Sequence, residues 1–165
     1  MRKVVSLTSL LRIRRVLARK GSTVVFTNGT FDLLHRGHVE YLAAARKLGD
    51  VLIVGLNTDR SIRRIKGKLR PINPNADRAA VLAALSSVDY VVFFGEDTPG
   101  RLIDRLVPDV LVKGADWKPH AIVGAQTVRA HGGRVETIRL TRGRSTSNMI
   151  DRVLQRYCSH HASRT

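Results

Sequence analysis

The segment that most constrains the fold is residues 27–38, which read TNGTFDLLHRGH. An apolar stretch, residues 23–26, precedes it and has the composition of a buried strand. Apolar residues then recur at helical spacing over residues 39–48. The sequence therefore predicts a strand, a glycine-containing turn and a helix, with His35 and His38 where the helix begins.

This arrangement favours phosphate binding. Backbone N–H groups at a helix N-terminus point outward and carry partial positive charge, and imidazoles beside them can add hydrogen bonds to phosphate oxygens. The alternative is that Gly29 and Gly37 serve the turn alone and that the histidines are surface residues. An NGxFD turn directly after the strand favours the phosphate site over that alternative.

Strand and helix patterns alternate along the rest of the chain. Four further apolar stretches are predicted to be strands, at residues 51–56, 88–94, 109–112 and 135–140. Helical patterns separate and follow them, at residues 60–65, 76–85, 98–107, 120–130 and 145–157. The sequence thus predicts an α/β fold, a doubly wound parallel five-stranded sheet in a three-layer α/β/α arrangement. Ligands of such folds bind outside the carboxyl ends of the strands.

The chain of 165 residues suits a single domain with a buried core. We expect a basic N-terminal helix over residues 1–20, packed outside the sheet, the main domain over residues 21–158, and a tail over residues 159–165. No apolar run approaches the ~20 residues of a membrane span, and no signal peptide is evident. With Cys158 as the single cysteine, we expect a cytoplasmic protein without a membrane partner.

The charge balance points to an anionic partner. The formal net charge is +16 and the isoelectric point is about 11.4, so nucleic acid, an anionic membrane or phosphorylated small molecules would be attracted. Basic residues cluster within residues 2–20, 60–70 and 139–156. No zinc-finger, basic-zipper or RNP-type pattern appears. Two of the clusters adjoin candidate phosphate sites, which favours phosphorylated small molecules; we expect no nucleic-acid partner.

Residues 27–38 fit the pattern T-x-G-x-F-D-x-x-H-x-G-H. This pattern resembles the signature of the cytidylyltransferase-like nucleotidyltransferases, a Rossmann-like family that joins a phosphate-bearing substrate to a nucleoside triphosphate. The resemblance implies that His35 and His38 contact the triphosphate and stabilise charge as pyrophosphate leaves. It also implies a nucleotide-binding turn made of Asn28, Gly29, Thr30, Phe31, Asp32 and Gly37.

Two later segments carry the same resemblance. VKGADWKP implies that Lys113, Gly114 and Asp116 line the nucleotide pocket. GRSTSN implies a second phosphate cradle at a helix start, formed by Ser145, Thr146 and Ser147. Alternatives stay open, because Ser145 is also a good helix N-cap and Trp117 suits a half-buried packing position. Arg144 departs from the family, whose members usually have an apolar or small residue there.

The second basic cluster, residues 60–70, and its neighbours are expected to bind the phosphate-bearing substrate. In related enzymes, lysines of the loop after the second strand bind phosphate and an arginine near the next helix faces the active site. The resemblance implies catalytic roles for Lys66 and Arg78, and substrate contacts from Asp59, Lys68 and Arg70. The alternative interpretations are a solvated loop at residues 66–70 and a plain helix cap around Asp59.

Within the family, the segments RPINP, VDYVVFFGEDTPGRLI and PDVLVKGADWKP are most similar to adenylyltransferases acting on D-glycero-D-manno-heptose 1-phosphate. The resemblance implies transfer of AMP from ATP to that sugar, giving ADP-heptose and pyrophosphate for lipopolysaccharide core or other heptose-containing surface glycans. It also implies Mg²⁺ held by phosphates and water, with no protein metal site, and a homo-oligomer. In many organisms the domain follows a sugar kinase; here a separate kinase is expected to supply the substrate.

Two alternatives remain. A CTP-dependent enzyme of the glycerol-3-phosphate cytidylyltransferase type would share the first and last signatures. A basic nucleic-acid-binding module would instead explain the charge, and would bind DNA in a strongly salt-dependent manner without nucleotide turnover.

Overall fold

The computed structural model describes residues 3–117, 121–141 and 143–158; the expected tail, residues 159–165, lies outside them. In this part of the chain a five-stranded sheet has the order β3-β2-β1-β4-β5, and every pairing is parallel. Its strands are β1 (Val24–Gly29), β2 (Val51–Asn57), β3 (Tyr90–Phe94), β4 (Val110–Gly114) and β5 (Arg134–Ile138). The predicted fold class is confirmed.

The strand order reverses beside β1. From β1 the chain adds β2 and β3 on one side, then returns to add β4 and β5 on the other. Val25 of β1 therefore pairs with Leu52 on one side and with Val110 on the other. Such a switch point leaves a crevice at the carboxyl ends of the two diverging strands. Here it lies between the ends of β1 and β4.

Helices cover both faces of the sheet. They are α1 (Leu7–Arg19), α2 (Arg36–Arg46), α3 (Asp59–Lys66), α4 (Asn75–Ala84), α5 (Gly100–Leu106), α6 (Ala125–Ala130) and α7 (Thr146–Tyr157). Alternate residues of a strand point to opposite faces. Val25 thus joins a core with α2 and α4, whereas Val24 and Phe26 join a core with α1, α5 and α6. All three side chains are fully buried, each contributing about 2 kcal/mol of apolar burial.

The N-terminal helix packs on the second of these cores. Ser6 caps α1 by accepting a hydrogen bond from the backbone of Ser9, and Leu10 is fully buried. Arg14 donates to the Asp109 carboxylate at 2.9 Å. The proposed domain boundary at residue 20 stays a prediction. Among the described residues, no helix has the length and apolar character needed to cross a membrane.

Some element boundaries differ from those predicted. Strand β1 continues to Gly29 because each residue up to that point pairs with β2, so residues 27–29 are extended rather than part of the turn. The helix predicted at residues 76–85 is α4, which begins at Asn75 and has Pro74 in the cap position. Proline suits a helix start, since its missing N–H is not needed there.

Candidate active site

A cleft of about 580 Å³ lies at the carboxyl end of the sheet, where β1 and β4 diverge. It is bounded by the starts of α2 and α7, the ends of β1 and β4, and the loop after α3. The expected site residues that line it are Asn28, Gly29, Thr30, Phe31, His35, Gly37, His38, Lys66, Arg70, Lys113, Gly114, Asp116, Ser145, Thr146 and Ser147. Segments predicted separately from the sequence therefore meet in one place.

The two histidines form a stacked pair at the start of α2. His35 is the N-cap residue, and its ring lies 3.9 Å from the ring of His38, centroid to centroid, with the planes 17° apart. Residues three apart at a helix start lie on the same side, which makes this stacking possible. Both Nδ1 atoms are buried and have no hydrogen-bond partner among the described residues. Only the Nε2 atoms can therefore bind a ligand.

Both histidines are held in the neutral form. Burial, together with the neighbouring His35, lowers the pKa of His38 to about 4. Burial and then the positive charge of Arg144 lower the pKa of His35. At neutral pH the pair can therefore offer hydrogen bonds to a ligand but no positive charge.

A tight turn supports the histidine pair. Phe31 adopts a positive φ of 42°, is 5% exposed, and places its ring 5.2 Å from that of His38. The same ring approaches the backbone of Gly29, where an added Cβ would lie 3.0 Å from a ring carbon. A residue larger than glycine would displace the ring, so Gly29 is required for this contact.

Asp32, expected to contact the nucleotide, does not line the cleft. Its carboxylate accepts hydrogen bonds from the backbone amides of Ile72 and Asn73 at 2.9 Å and from Nε of Arg70 at 2.6 Å. Burial alone would raise the pKa of Asp32, but these donors outweigh it and lower the pKa. Asp32 therefore anchors the loop that follows α3, and it holds Arg70, which does line the cleft.

Arg78 also lies outside the cleft lining, contrary to the expectation that it faces the active site. Its side chain is fully buried and donates to the carbonyl oxygens of Asn73 at 3.0 Å, Thr30 at 2.6 Å and Asn57 at 2.9 Å. It also donates to the Asp59 carboxylate at 2.7 Å. Because α4 turns Arg78 into the fold, the guanidinium joins the turn after β1, the end of β2 and the loop after α3, and it occupies the side chain of Asp59.

Lys68, the remaining expected residue outside the lining, is exposed on the loop after α3. Lys66 and Arg70, on either side of it, do line the cleft. The basic loop therefore presents alternate cationic residues to the site, and Lys68 stays a predicted substrate contact only.

Lys113 lies at the end of β4 and donates a hydrogen bond to the side-chain carbonyl of Asn28. The pairing of Phe26 with Leu111, continued by two residues, brings these two side chains together. Burial lowers the pKa of Lys113 to about 8 despite the opposing charge of Asp116. The ammonium also lies 5.4 Å from the centre of the Trp117 ring, which is 46% exposed. Trp117 is therefore an open wall of the cleft rather than a core residue.

The start of α7 lies where the second phosphate cradle is expected, at the edge of the cleft. Ser145 is the N-cap and accepts a hydrogen bond from the backbone of Asn148 at 3.1 Å, as the helix-cap interpretation predicted. Thr146 and Ser147 follow it into the cleft lining. Unpaired N–H groups at such a start favour a bound anion. The cap and the cradle are thus compatible functions of one segment.

Sequence reasoning missed several lining residues, and two groups of them follow strands. Asp97, Thr98 and Pro99 come after β3, and Leu140 and Thr141 come after β5. Their position after the carboxyl ends of parallel strands was the available signal. Their side-chain types alone indicated no chemistry.

A sequence profile of the cytidylyltransferase-like family matches residues 26–155. The chain belongs to the cytidylyltransferase-like family. The resemblance seen in the motifs is confirmed, and the nucleotidyltransferase class expected from the sequence agrees with it.

Curated relatives in this family share more than half of their matched residues with this chain. The bifunctional protein HldE of Syntrophotalea carbinolica is 59% identical over 152 residues, covering 92% of this chain and 30% of that protein. HldE of Geobacter metallireducens is 52% identical over 155 residues, covering 94% of this chain and 32% of that protein. The chain spans about a third of the length of these relatives.

Solved structures agree with the fold. A lipopolysaccharide core biosynthesis protein from Thermoplasma volcanium is 30% identical, with a TM-score of 0.60 over 73% of this chain and 98% of that one. A pantoate–β-alanine ligase from Francisella tularensis, solved with an ATP analogue and β-alanine, is 18% identical, with a TM-score of 0.61 over 86% of this chain and 68% of that one. The latter likeness concerns the fold alone.

Proposed function

We propose that this member of the cytidylyltransferase-like family transfers AMP from ATP to D-glycero-D-manno-heptose 1-phosphate, producing ADP-heptose and pyrophosphate. The observation that carries this proposal is that two helix starts, a stacked histidine pair and two basic residues, Lys66 at the end of α3 and Arg70 in the loop after it, line one cleft. The choice of sugar is supported by the segments resembling heptose enzymes and by the similarity to a lipopolysaccharide core biosynthesis protein. The product would serve lipopolysaccharide core or related glycans.

The reaction is an in-line displacement at the α-phosphorus of ATP. An oxygen of the sugar phosphate forms a new bond to that phosphorus, and the bond to the bridging oxygen breaks with its electron pair going to pyrophosphate. The attacking phosphate is already ionised, so no strong general base is required. Catalysis then depends on positioning the two phosphates and on stabilising charge in the transition state.

The donor side is assigned to the starts of α2 and α7. Nε2 of His35 and Nε2 of His38 would donate hydrogen bonds to phosphate oxygens of ATP, because their Nδ1 atoms are buried. Ser145 and Thr146 would hold the terminal phosphates with hydroxyl and backbone donors. Lys113 would orient the nucleotide from the end of β4.

The acceptor side is assigned to the loop after α3. Lys66 and Arg70 would bind the sugar phosphate and offset its repulsion from ATP, since both line the cleft. Asp32 keeps Arg70 in place through its 2.6 Å ion pair. Arg78 and Asp59 are better assigned as positioning residues, because their mutual ion pair and the carbonyl contacts of Arg78 occupy them.

Mg²⁺ is proposed as the metal cofactor, carried mainly by the phosphates of ATP and by water. Mg²⁺ prefers oxygen ligands from phosphates, carboxylates and water. Asp97 and Asp116 are acidic residues of the cleft lining that would hold its water shell. When bound, the ion would neutralise charge on the phosphates.

The wider context is also proposed rather than shown. A homo-oligomer is supported by α7, on which Val153, Leu154 and Tyr157 are 56%, 52% and 69% exposed. A sugar kinase acting upstream would supply the sugar 1-phosphate. We place the enzyme in the cytoplasm, where ATP is available and a single cysteine stays reduced.

The test is pyrophosphate release with Mg²⁺ and heptose 1-phosphate, comparing ATP with CTP, GTP and UTP, and repeating CTP with glycerol 3-phosphate. We expect release with ATP and the heptose, and a kcat/KM about 100-fold to 1000-fold lower in His38→Ala. His131→Ala is the matched control, because His131 is exposed and outside the cleft lining. Pyrophosphate release only with CTP and glycerol 3-phosphate would show that these are the substrates and that the proposed sugar and nucleotide are wrong. The displacement mechanism would still apply.

A further inference from the structure

We propose that Arg144 is a triphosphate-binding residue, which holds the part of ATP that leaves as pyrophosphate and stabilises its developing charge. The inference rests on the proposed function and deepens it, since it assigns a role to a residue at which this chain departs from the family pattern.

Arg144 lies between two helix starts. It directly precedes Ser145, the N-cap of α7, and it lines the cleft together with His35 at the start of α2. Its Cβ approaches the backbone of Gly37 so closely that a Cβ added there would lie 3.3 Å away. The same added atom would lie 3.1 Å from Nδ1 of His35. Gly37 therefore permits Arg144 to pack against the histidine pair.

The guanidinium of Arg144 is left available for a ligand. It is exposed, and its charge lowers the pKa of the nearby Glu40 carboxylate. Glu40 itself pairs with Arg36 at 2.6 Å, and in the described part of the chain Arg144 makes no hydrogen bond or ion pair of its own. Two other arginines near the cleft each commit part of their guanidinium to a carboxylate: Arg70 pairs with Asp32 at 2.6 Å and Arg64 with Asp97 at 2.7 Å. Arg144 thus combines a cleft position with unused donors.

The cleft needs a positive charge at this position. A triphosphate is a polyanion, whereas the histidines beside it are held neutral and supply hydrogen bonds without charge. An arginine remains protonated at any working pH and presents planar, paired donors that match phosphate oxygens. A fixed positive charge would also oppose protonation of His35, which keeps the pair in its neutral, donating form.

Binding experiments test the inference without the sugar. Tripolyphosphate and AMP are each titrated, at fixed ionic strength, into the unmodified full-length chain and into three variants: Arg144→Gln, Arg144→Lys and Arg152→Gln. Arg152 is a matched control, because it is an exposed arginine of α7 outside the cleft lining. We expect Arg144→Gln to weaken tripolyphosphate binding about 10-fold to 100-fold and AMP binding less than about twofold. Arg144→Lys should recover part of the loss.

Two further readouts separate this inference from the substrate assignment. In pyrophosphate release, Arg144→Gln should raise KM for ATP and leave KM for the sugar phosphate unchanged. By NMR, the pKa of the free His35 ring should rise in Arg144→Gln, because a neighbouring positive charge is gone. Equal tripolyphosphate affinity in Arg144→Gln and Arg152→Gln would overturn the inference. A selective loss of tripolyphosphate binding would sustain it even if the sugar proved to be another one.

Discussion

The imidazole rings of His35 and His38 stack at the start of α2 with their centroids 3.9 Å apart. Because their Nδ1 atoms are buried without a partner among the described residues, each ring can present only Nε2 to a ligand. The pair is therefore built to donate hydrogen bonds while uncharged. A positive charge to match bound phosphates would have to come from other residues of the cleft, namely its arginines and lysines.

The histidine pair should make stability depend on pH. Burial lowers the pKa of His38 from 6.5 to about 4, so the unfolded chain takes up this proton at a higher pH than the folded chain does. The neutral ring therefore contributes fully to the free energy of unfolding above about pH 6.5, and this contribution is lost as the pH falls towards 4. We expect the free energy of unfolding to fall by about 2 kcal/mol more in the unmodified protein than in His38→Asn between pH 7 and pH 4.

Urea denaturation at several pH values measures this difference. His131→Asn serves as the control, because His131 is exposed. Parallel pH profiles for the unmodified protein and His38→Asn would show that the ring is not held neutral by the fold.

Gly37→Ala should impair nucleotide binding more than folding. The added Cβ would press on the His35 ring at 3.1 Å and on Cβ of Arg144 at 3.3 Å, although alanine favours a helix more than glycine does. We expect KM for ATP to rise about tenfold, while the free energy of unfolding changes by less than about 1 kcal/mol. Gly95→Ala is the control, since the nearest atom to its added Cβ among the described residues is Oγ1 of Thr58, 3.9 Å away. A large fall in the free energy of unfolding of Gly37→Ala would contradict the prediction that the change affects ATP binding more than folding.

Arg78→Met should destabilise the fold. The substitution removes a fully buried guanidinium, leaves the Asp59 carboxylate without its 2.7 Å partner, and leaves the Thr30 carbonyl without its 2.6 Å donor. We expect the free energy of unfolding to fall by about 3 kcal/mol. Urea denaturation compares it with Arg60→Met, a change at an exposed position of α3. Similar small losses in both variants would show that Arg78 does not join the loops as described.

Asp32→Asn should loosen the loop at residues 70–73. The low pKa of Asp32 means that its carboxylate stabilises the fold above the ordinary pKa of 3.8 and that this contribution is lost as the pH falls through the folded-state pKa. At pH 7 the amide would be a weaker acceptor, and we expect a loss of about 1–2 kcal/mol. Amide hydrogen exchange at Ile72 and Asn73 should accelerate, whereas Asp151→Asn, in exposed α7, should leave it unchanged. Unaltered exchange in Asp32→Asn would refute the anchoring role.

Much of the fold could be predicted because its causes are local. A continuous apolar stretch at residues 51–56 is typical of a strand buried on both faces, and the structure has β2 there. The periodic apolar residues after His38 predicted α2, and Ser145 was correctly predicted as a helix cap. These patterns reflect neighbouring residues along the chain, which the sequence displays directly.

The placement of the individual charged residues could not be predicted in this way. Asp32 and Arg78 sit in or beside family-like motifs, yet both are taken up by partners 40 and 48 residues away, at Ile72 and Thr30. Nothing in the periodicity of a sequence identifies such distant partners, because they depend on how the loops cross at the end of the sheet.

The sequence by itself determined the order and type of the elements, the family, and the segments that are predicted to bind phosphate. Only the tertiary structure decided which of their side chains face the cleft. The switch in strand order between β1 and β4 brings the starts of α2 and α7 to the same cleft, and there Arg144 meets the histidine pair. The physical reason is that burial and long-range pairing occupy Asp32, Asp59 and Arg78, whereas Arg144 is exposed and makes no hydrogen bond or ion pair in the described part of the chain.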